Sequence, residues 1–191
     1  MIKRILSILG LIIGFLCIFT SVALAMTPAS ELRATPPHWQ KSTISVYIPK
    51  DTYAETMKRA FQKWQAVSSN KIKFNYVEKG PADIDVAFLE KVSGDSPIAS
   101  YSTNISGNKI TKAEIRIASK GKDIKKYSKN YIYTTMLHEV GHVLGLPLNE
   151  RKKSSIMNTP INETQQILSL DVLKLYHTNG WSWKNERIQK P

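Results

Sequence analysis

The sequence has few cysteines and few acidic residues, and both shortages restrict what the chain can be. Its 191 residues include a single cysteine, Cys17. One thiol excludes an intramolecular disulfide framework and a zinc cluster of four thiolates. Asp and Glu together number 15, against 27 Lys and Arg. Because the chain has only one thiol, any metal site must be built from histidine and carboxylate side chains.

What the sequence does contain indicates one packed domain with a basic surface. Hydrophobic residues make up 42% of it and the formal net charge is +12, so we expect a folded core and association with anionic cell surfaces. The positive residues are spread along the chain and are densest over residues 120–129. Only one aromatic residue, Tyr127, falls within that stretch, so we expect no nucleic-acid partner.

The first 25 residues have the pattern of a secretory signal peptide. Lys3 and Arg4 precede an uncharged apolar run over residues 5–19, and Ala23-Leu24-Ala25 follows as a small-x-small cleavage site. The alternative is an uncleaved membrane anchor, because residues 5–26 match the ~20 residues that span a bilayer. We expect cleavage, secretion of a monomer and no stable membrane span afterwards.

The remaining chain divides into an extended lead-in over residues 26–36 and a single domain over residues 37–191. Alternating apolar residues predict four strands, over residues 42–48, 71–77, 83–88 and 112–118. A further short strand is expected over residues 98–101, within a stretch rich in Ser, Gly and Asn for which a surface loop is the alternative. Apolar residues at helical spacing predict three helices, over residues 53–67, 131–144 and 170–177. This order of elements indicates an α+β domain.

Three local signals set the expected helix ends. Thr52 with Glu55 three residues later predicts a capping box before the first helix. Gly145 predicts the end of the second helix. Ser169 is the expected N-cap of the third helix.

The second predicted helix carries the sequence His138-Glu139-Val140-Gly141-His142. Residues four apart lie on one face of a helix, so both imidazoles can reach one metal ion while Glu139 projects beside it. We predict that His138 and His142 bind a metal and that Glu139 acts on a nearby water. An ordinary pair of core or surface histidines is the competing interpretation. Against it, the two histidines share a stripe with Thr135, opposite the apolar stripe.

The residues after this motif resemble the matrixin branch of the metzincin zinc endopeptidases. Gly145 stands three residues after His142, and Ser155-Ile156-Met157 matches the family's turn beneath the metal. The resemblance covers roughly residues 37–181. Further matching segments are Trp39 to Ile48, Ala60-Phe61-x-x-Trp64, Ala82 to Phe88 and Leu170 to Tyr176.

This resemblance implies a metzincin-like zincin domain. Its fold would be a twisted, mostly parallel sheet of about five strands with two long helices and a short C-terminal helix. The implied activity is zinc-dependent cleavage of protein or peptide substrates, with Zn²⁺ on His138 and His142 and Glu139 as general base. Met157 would form a hydrophobic floor under the ligands. Residues 98–101 resemble the edge strand that aligns substrate, and residues 158–161 would shape the specificity pocket.

One position departs from the family pattern. The third zinc ligand would fall at residue 148, and Leu148 has no donor atom. The substitutes that we consider are, in order, Glu150, Asn149, His177 and Glu163, with water or substrate completing the site as a further option. A second interpretation follows from the same position: a degenerate scaffold with weak or lost zinc binding that serves as a surface or binding module.

Overall fold

The computed structural model describes residues 36–93 and 96–182. The predicted signal peptide (1–25) and nearly all of the predicted lead-in (26–36) lie outside the described residues. Within the described part of the chain, no helix is both long enough and apolar enough to cross a membrane.

Five strands form one sheet. They are β1 Thr43–Tyr47, β2 Lys73–Val77, β3 Ile84–Phe88, β4 Ala99–Ser106 and β5 Lys109–Ile117. Their order across the sheet is β2-β1-β3-β5-β4. All neighbours run parallel except the outermost pair, β4 and β5, which is antiparallel. The predicted α+β fold with a mostly parallel sheet of five strands is therefore confirmed.

The fourth strand is twice as long as its pattern predicts. We expected residues 98–101, whereas β4 spans Ala99–Ser106 and forms a hairpin with β5. Beyond Tyr101 the strand is polar, with Ser102, Thr103 and Asn104 in sequence. An edge strand has only one neighbour and need not alternate apolar with polar residues. Hydrophobic alternation therefore detects only its first part.

Three helices accompany the sheet, α1 Ala54–Val67, α2 Lys129–Val143 and α3 Ser169–Thr178. A short 3₁₀ turn, Asp123–Lys126, precedes α2. The apolar face of α1 is buried, as its helical spacing predicts, with Met57, Ala60, Phe61 and Trp64 in the core. The predicted two long helices and one short C-terminal helix are confirmed.

Two of the expected helix caps are wrong. Tyr53, not Thr52, is the N-cap residue of α1, and no side-chain cap is made there; Asp51 instead accepts a hydrogen bond from the Tyr53 N–H at 2.9 Å. Ser169 lies inside α3, where the buried carboxylate of Asp171 accepts from the backbone N–H that precedes the helix. At the start of each helix an aspartate carboxylate, and not the expected hydroxyl group, accepts a backbone N–H, because a carboxylate is the stronger acceptor.

Two tryptophans hold the second half of α2 in place. The indole N–H of Trp64, on α1, donates to the carbonyl of Leu137 at 2.9 Å. The indole N–H of Trp39, ahead of β1, donates to the carbonyl of Val143 at 2.8 Å. Both rings are buried, and buried indoles normally require such a partner. These two bonds fix the segment of α2 that carries the two histidines.

Candidate metal centre

His138 and His142 are brought together on the last two turns of α2. Both are nearly fully buried, with 3% and 6% of their surface exposed. Their Nε2 atoms lie 2.9 Å apart and their rings are nearly perpendicular, at 81°. Two nitrogens at this separation are close enough for one Zn²⁺ to contact both at the usual ~2.0–2.1 Å.

The other nitrogen of each imidazole faces a backbone carbonyl. Nδ1 of His138 lies 2.6 Å from the oxygen of Ile156, and Nδ1 of His142 lies 2.9 Å from the oxygen of Leu146. A carbonyl oxygen only accepts, so each Nδ1 must carry the proton. Both Nε2 atoms then hold lone pairs that face each other, an arrangement that favours a cation between them. The two histidines therefore fit the role of metal ligands.

The Ile156 carbonyl is fixed by the turn that contains it. The Ser155 hydroxyl donates to the buried carboxylate of Asp171 on α3 at 2.6 Å, and it accepts from the N–H of Met157 at 3.1 Å. These hydrogen bonds fix Ser155 and Met157, the two neighbours of Ile156, and both are buried. α3 thus sets the orientation of His138 through this turn.

The Leu146 carbonyl is fixed by the way α2 ends. Gly145 has φ +92°, and its N–H donates to His142 O while the N–H of Leu146 donates to Gly141 O. This is the Schellman pattern, which favours glycine because of the positive φ. A Cβ at Gly145 would also overlap the carbonyl oxygen of Pro37. The predicted stop signal therefore also orients His142.

Burial keeps both imidazoles neutral. It lowers the pKa of His138, and it lowers the pKa of His142 to about 4, where the neighbouring His138 adds to the effect. A neutral imidazole is the form that binds a metal. Near pH 7 both side chains are therefore ready to act as ligands.

Glu139 lies beside the pair in the wall of a cleft. The side chain is 3% exposed, and it lines a cavity of about 290 Å³ together with both histidines. One side of this cavity is formed by the start of β4 and the loop before it, and the other by residues 159–161. The arrangement brings two metal-binding nitrogens and one carboxylate to a space that a ligand can enter.

Met157 lies directly beneath the helix. It is fully buried, and a Cβ added at Gly141, between the two histidines, would overlap its sulfur atom. Glycine at position 141 thus lets the helix approach the turn closely. The expected position of Met157 as a floor under the histidines agrees with this contact.

Replacing Gly141 by alanine tests that contact. We expect Gly141→Ala to lower the free energy of unfolding by about 1–3 kcal/mol, because the added methyl group overpacks a filled core. In a Met157→Ala background the same substitution should cost less, because the closest clash is gone, the Trp64 ring at 3.0 Å is the remaining close contact, and alanine is the better helix former. Urea unfolding of the wild type, Gly141→Ala, Met157→Ala and the double variant measures the coupling between the two positions. An equal effect of Gly141→Ala in both backgrounds would contradict the close contact.

The missing third ligand is not supplied by the charged or histidine candidates. Among the described residues, no group of three His, Cys, Asp or Glu is close enough to hold one ion. Glu150, His177 and Glu163 are exposed and do not line the cavity. Leu148, by contrast, does line it beside both histidines. An apolar side chain therefore forms the wall where the sequence pattern calls for a ligand.

Asn149 has a different role from the one considered above. It is buried, its amide nitrogen lies 3.4 Å from the carboxylate of Asp171, and its N–H donates to the carbonyl of Met157 at 2.7 Å. Its own carbonyl accepts from the side chain of Asn158 at 2.8 Å. These bonds place Asn149 in the support of the turn and outside the cavity lining.

Two residues of the site are not identified from the sequence. Tyr101 on β4 stacks on His142, with ring centroids 4.4 Å apart and 9° between planes. Asp171 supports the turn from α3. The stripe of α2 that carries the histidines is buried like the apolar stripe, because every residue of α2 from Thr134 onward is buried. Each of these features depends on elements that pack against α2 from distant parts of the chain.

Comparison with protein families identifies a match that covers most of the described residues. A protein-family model described as matrixin matches residues 38–174. The match runs from just before β1 into α3 and includes the two histidines, Glu139 and the turn with Met157. No curated protein matches the chain.

Proposed function

Because the chain belongs to the matrixin family of metallopeptidases, we propose that it is a secreted zinc-dependent endopeptidase. His138 and His142 are the proposed zinc ligands and Glu139 is the proposed general base. The observation that carries this proposal is the 2.9 Å approach of the two Nε2 atoms beside a carboxylate in an open cleft.

The two histidines would hold the ion through their Nε2 atoms, which carry no proton in a neutral imidazole whose Nδ1–H donates to a carbonyl. When bound, Zn²⁺ supplies Lewis acidity, which lowers the pKa of a bound water toward ~7 and polarises a carbonyl group. The hydrogen bonds to Ile156 and Leu146 keep the two rings in the orientation that this chemistry needs, since partners of this kind fix the tautomer of a ligand histidine.

Glu139 would move the protons of the reaction. Its carboxylate takes a proton from the attacking water and gives it to the nitrogen of the departing amine, a cycle that needs one well-placed carboxylate. The side chain is buried in the cavity wall next to both proposed ligands. That position excludes most bulk water from the carboxylate while leaving it in contact with the cleft.

A peptide substrate would lie along β4. This strand forms the edge of the sheet, so the backbone groups on its outer side are not used by a neighbouring strand within the described residues. An extended peptide binds to such an edge by backbone hydrogen bonds. Ala99 and Ser100 line the cavity at this edge, and Thr159, Pro160 and Ile161 line it opposite, where a substrate side chain would enter.

Secretion is proposed from the pattern of the first 25 residues, with cleavage after Ala25. The net charge of +12 supports association with anionic cell surfaces, because most of the positive residues lie outside that segment. If the segment is retained, the same domain would be anchored to a membrane by its apolar run.

A second candidate function rests on Leu148. Zinc enzymes of this type normally use three protein ligands and one water, and this chain has a leucine in the cavity wall where the third ligand is expected. The alternative is therefore a matrixin scaffold that binds a partner without holding zinc. An intact Glu139 beside both histidines favours the enzyme.

Removal of the metal separates the two candidates. We expect the purified protein to retain zinc through dialysis, to cleave casein, to lose cleavage with a chelator and to regain it when zinc is added back. His142→Ala is the matched control and should neither retain zinc nor cleave. Cleavage that survives chelation would contradict a zinc enzyme, and absence of both zinc and cleavage would favour the scaffold.

A further inference from the structure

The proposed metal site has one feature that its motif does not contain. Tyr101 lies on β4, across the cleft from the backbone of α2, and its ring stacks on the imidazole of His142. The centroids are 4.4 Å apart and the planes differ by 9°, which is close to face-to-face contact. Tyr101 and His142 also line the same cavity.

His142 is thereby restrained on three sides. Leu146 O holds Nδ1, His138 meets the ring nearly edge-on and Tyr101 covers one face. A third protein ligand would normally help to fix the geometry of a zinc site, but Leu148 has no donor atom. Without that ligand, the orientation of the His142 ring has to be fixed by its contacts with Leu146, His138 and Tyr101.

The stacked ring favours the metal-bound form of His142 over the free form. An aromatic face carries negative potential and attracts positive charge. Zn²⁺ withdraws electron density from a ligand imidazole, so the imidazole becomes more positive and the attraction to the phenol ring increases. A contact that is stronger in the bound state raises affinity for the ion.

We propose that Tyr101 is a positioning residue for His142 and that its stacking compensates in part for the missing third ligand. The inference rests on the proposed function, since it requires His138 and His142 to bind zinc. It assigns to the edge strand a role in holding the metal centre, in addition to the proposed role in aligning substrate.

Zinc affinity measured by competition with a chromophoric chelator tests this role without any peptidase assay. We expect Tyr101→Leu to weaken zinc binding by about 2- to 10-fold, the range that corresponds to loss of a stacked aromatic pair. Tyr101→Phe keeps the ring and should bind zinc like wild type. Because Tyr101 is 41% exposed, neither substitution leaves a hole in the core.

Tyr131→Leu is the matched control. Tyr131 lines the same cavity, but its ring stacks on Tyr127, with centroids 4.6 Å apart. It should leave zinc affinity unchanged. The visible spectrum of the Co²⁺-substituted protein gives a second readout, since Tyr101→Leu should alter the ligand-field bands and Tyr131→Leu should not.

The outcomes distinguish this inference from the proposed function. If wild type binds no zinc, or if His142→Ala binds it equally well, the proposed metal site is wrong. If His142→Ala loses zinc while Tyr101→Leu binds it like wild type, only the positioning role is overturned. A Tyr101→Phe variant as weak as Tyr101→Leu would also overturn it, because the effect would then belong to the hydroxyl group.

Discussion

Glu139→Gln should reduce the rate of casein cleavage by about 10²- to 10⁴-fold, the range that a positioned general base contributes. Glutamine has nearly the same shape as glutamate but cannot take up a proton from water. Because Glu139 is not among the proposed ligands, zinc content should stay at the wild-type level. The measurement is kcat/KM on casein or an unstructured peptide, with zinc content determined on the same preparation.

Glu150→Gln is the control for this prediction. It removes the same charge from an exposed residue that does not line the cavity, so cleavage should be unchanged. The result also bears on the third ligand, for which Glu150 was the first candidate from sequence. If Glu139→Gln cleaves as fast as wild type while still holding zinc, another group must serve as the base.

Leu148→His should give the largest gain, an increase in zinc affinity of about 10²- to 10³-fold. Sites with four ligands bind zinc with about 10–16 kcal/mol, or roughly 3 kcal/mol for each ligand, and each 1.4 kcal/mol is a factor of ten. The side chain at position 148 lines the cavity beside both histidines and is 39% exposed. A histidine there can turn toward them without displacing the core.

Leu89→His separates the new ligand from a general effect of an added imidazole. Leu89 follows β3, is 38% exposed and does not line the cavity, so the substitution matches in chemistry and exposure. Its zinc affinity should equal that of wild type. Equal affinity of Leu148→His and wild type would show that the third position is not at residue 148, and that a group outside the sequence pattern completes the site.

The sequence alone predicts the elements of this domain well where the signal is local. Helical spacing of apolar residues locates α1 and α2 to within a few residues, and alternation locates the three inner strands and the edge strand β2. These patterns succeed because buried faces repeat with the period of the element. They fail at β4, where an edge strand is polar, and at the caps of α1 and α3, where aspartates take the N–H groups.

The sequence by itself determined which residues form the proposed metal site. His138, Glu139 and His142 come from one helical segment, and Gly145 ends that segment with the left-handed residue that a Schellman motif requires. Residues so close in sequence are placed by the backbone hydrogen bonds of a single helix. Their mutual arrangement therefore follows from a short stretch of residues.

Only the tertiary structure decided what surrounds those residues. The carbonyl of Ile156 contacts His138 and the ring of Tyr101 stacks on His142, and each partner lies at least 18 residues from its histidine in the sequence. Asp171 of α3 supports the turn that contains Ile156. Contacts between distant segments depend on how the helices and the sheet pack together, and no period or spacing in the sequence encodes that packing.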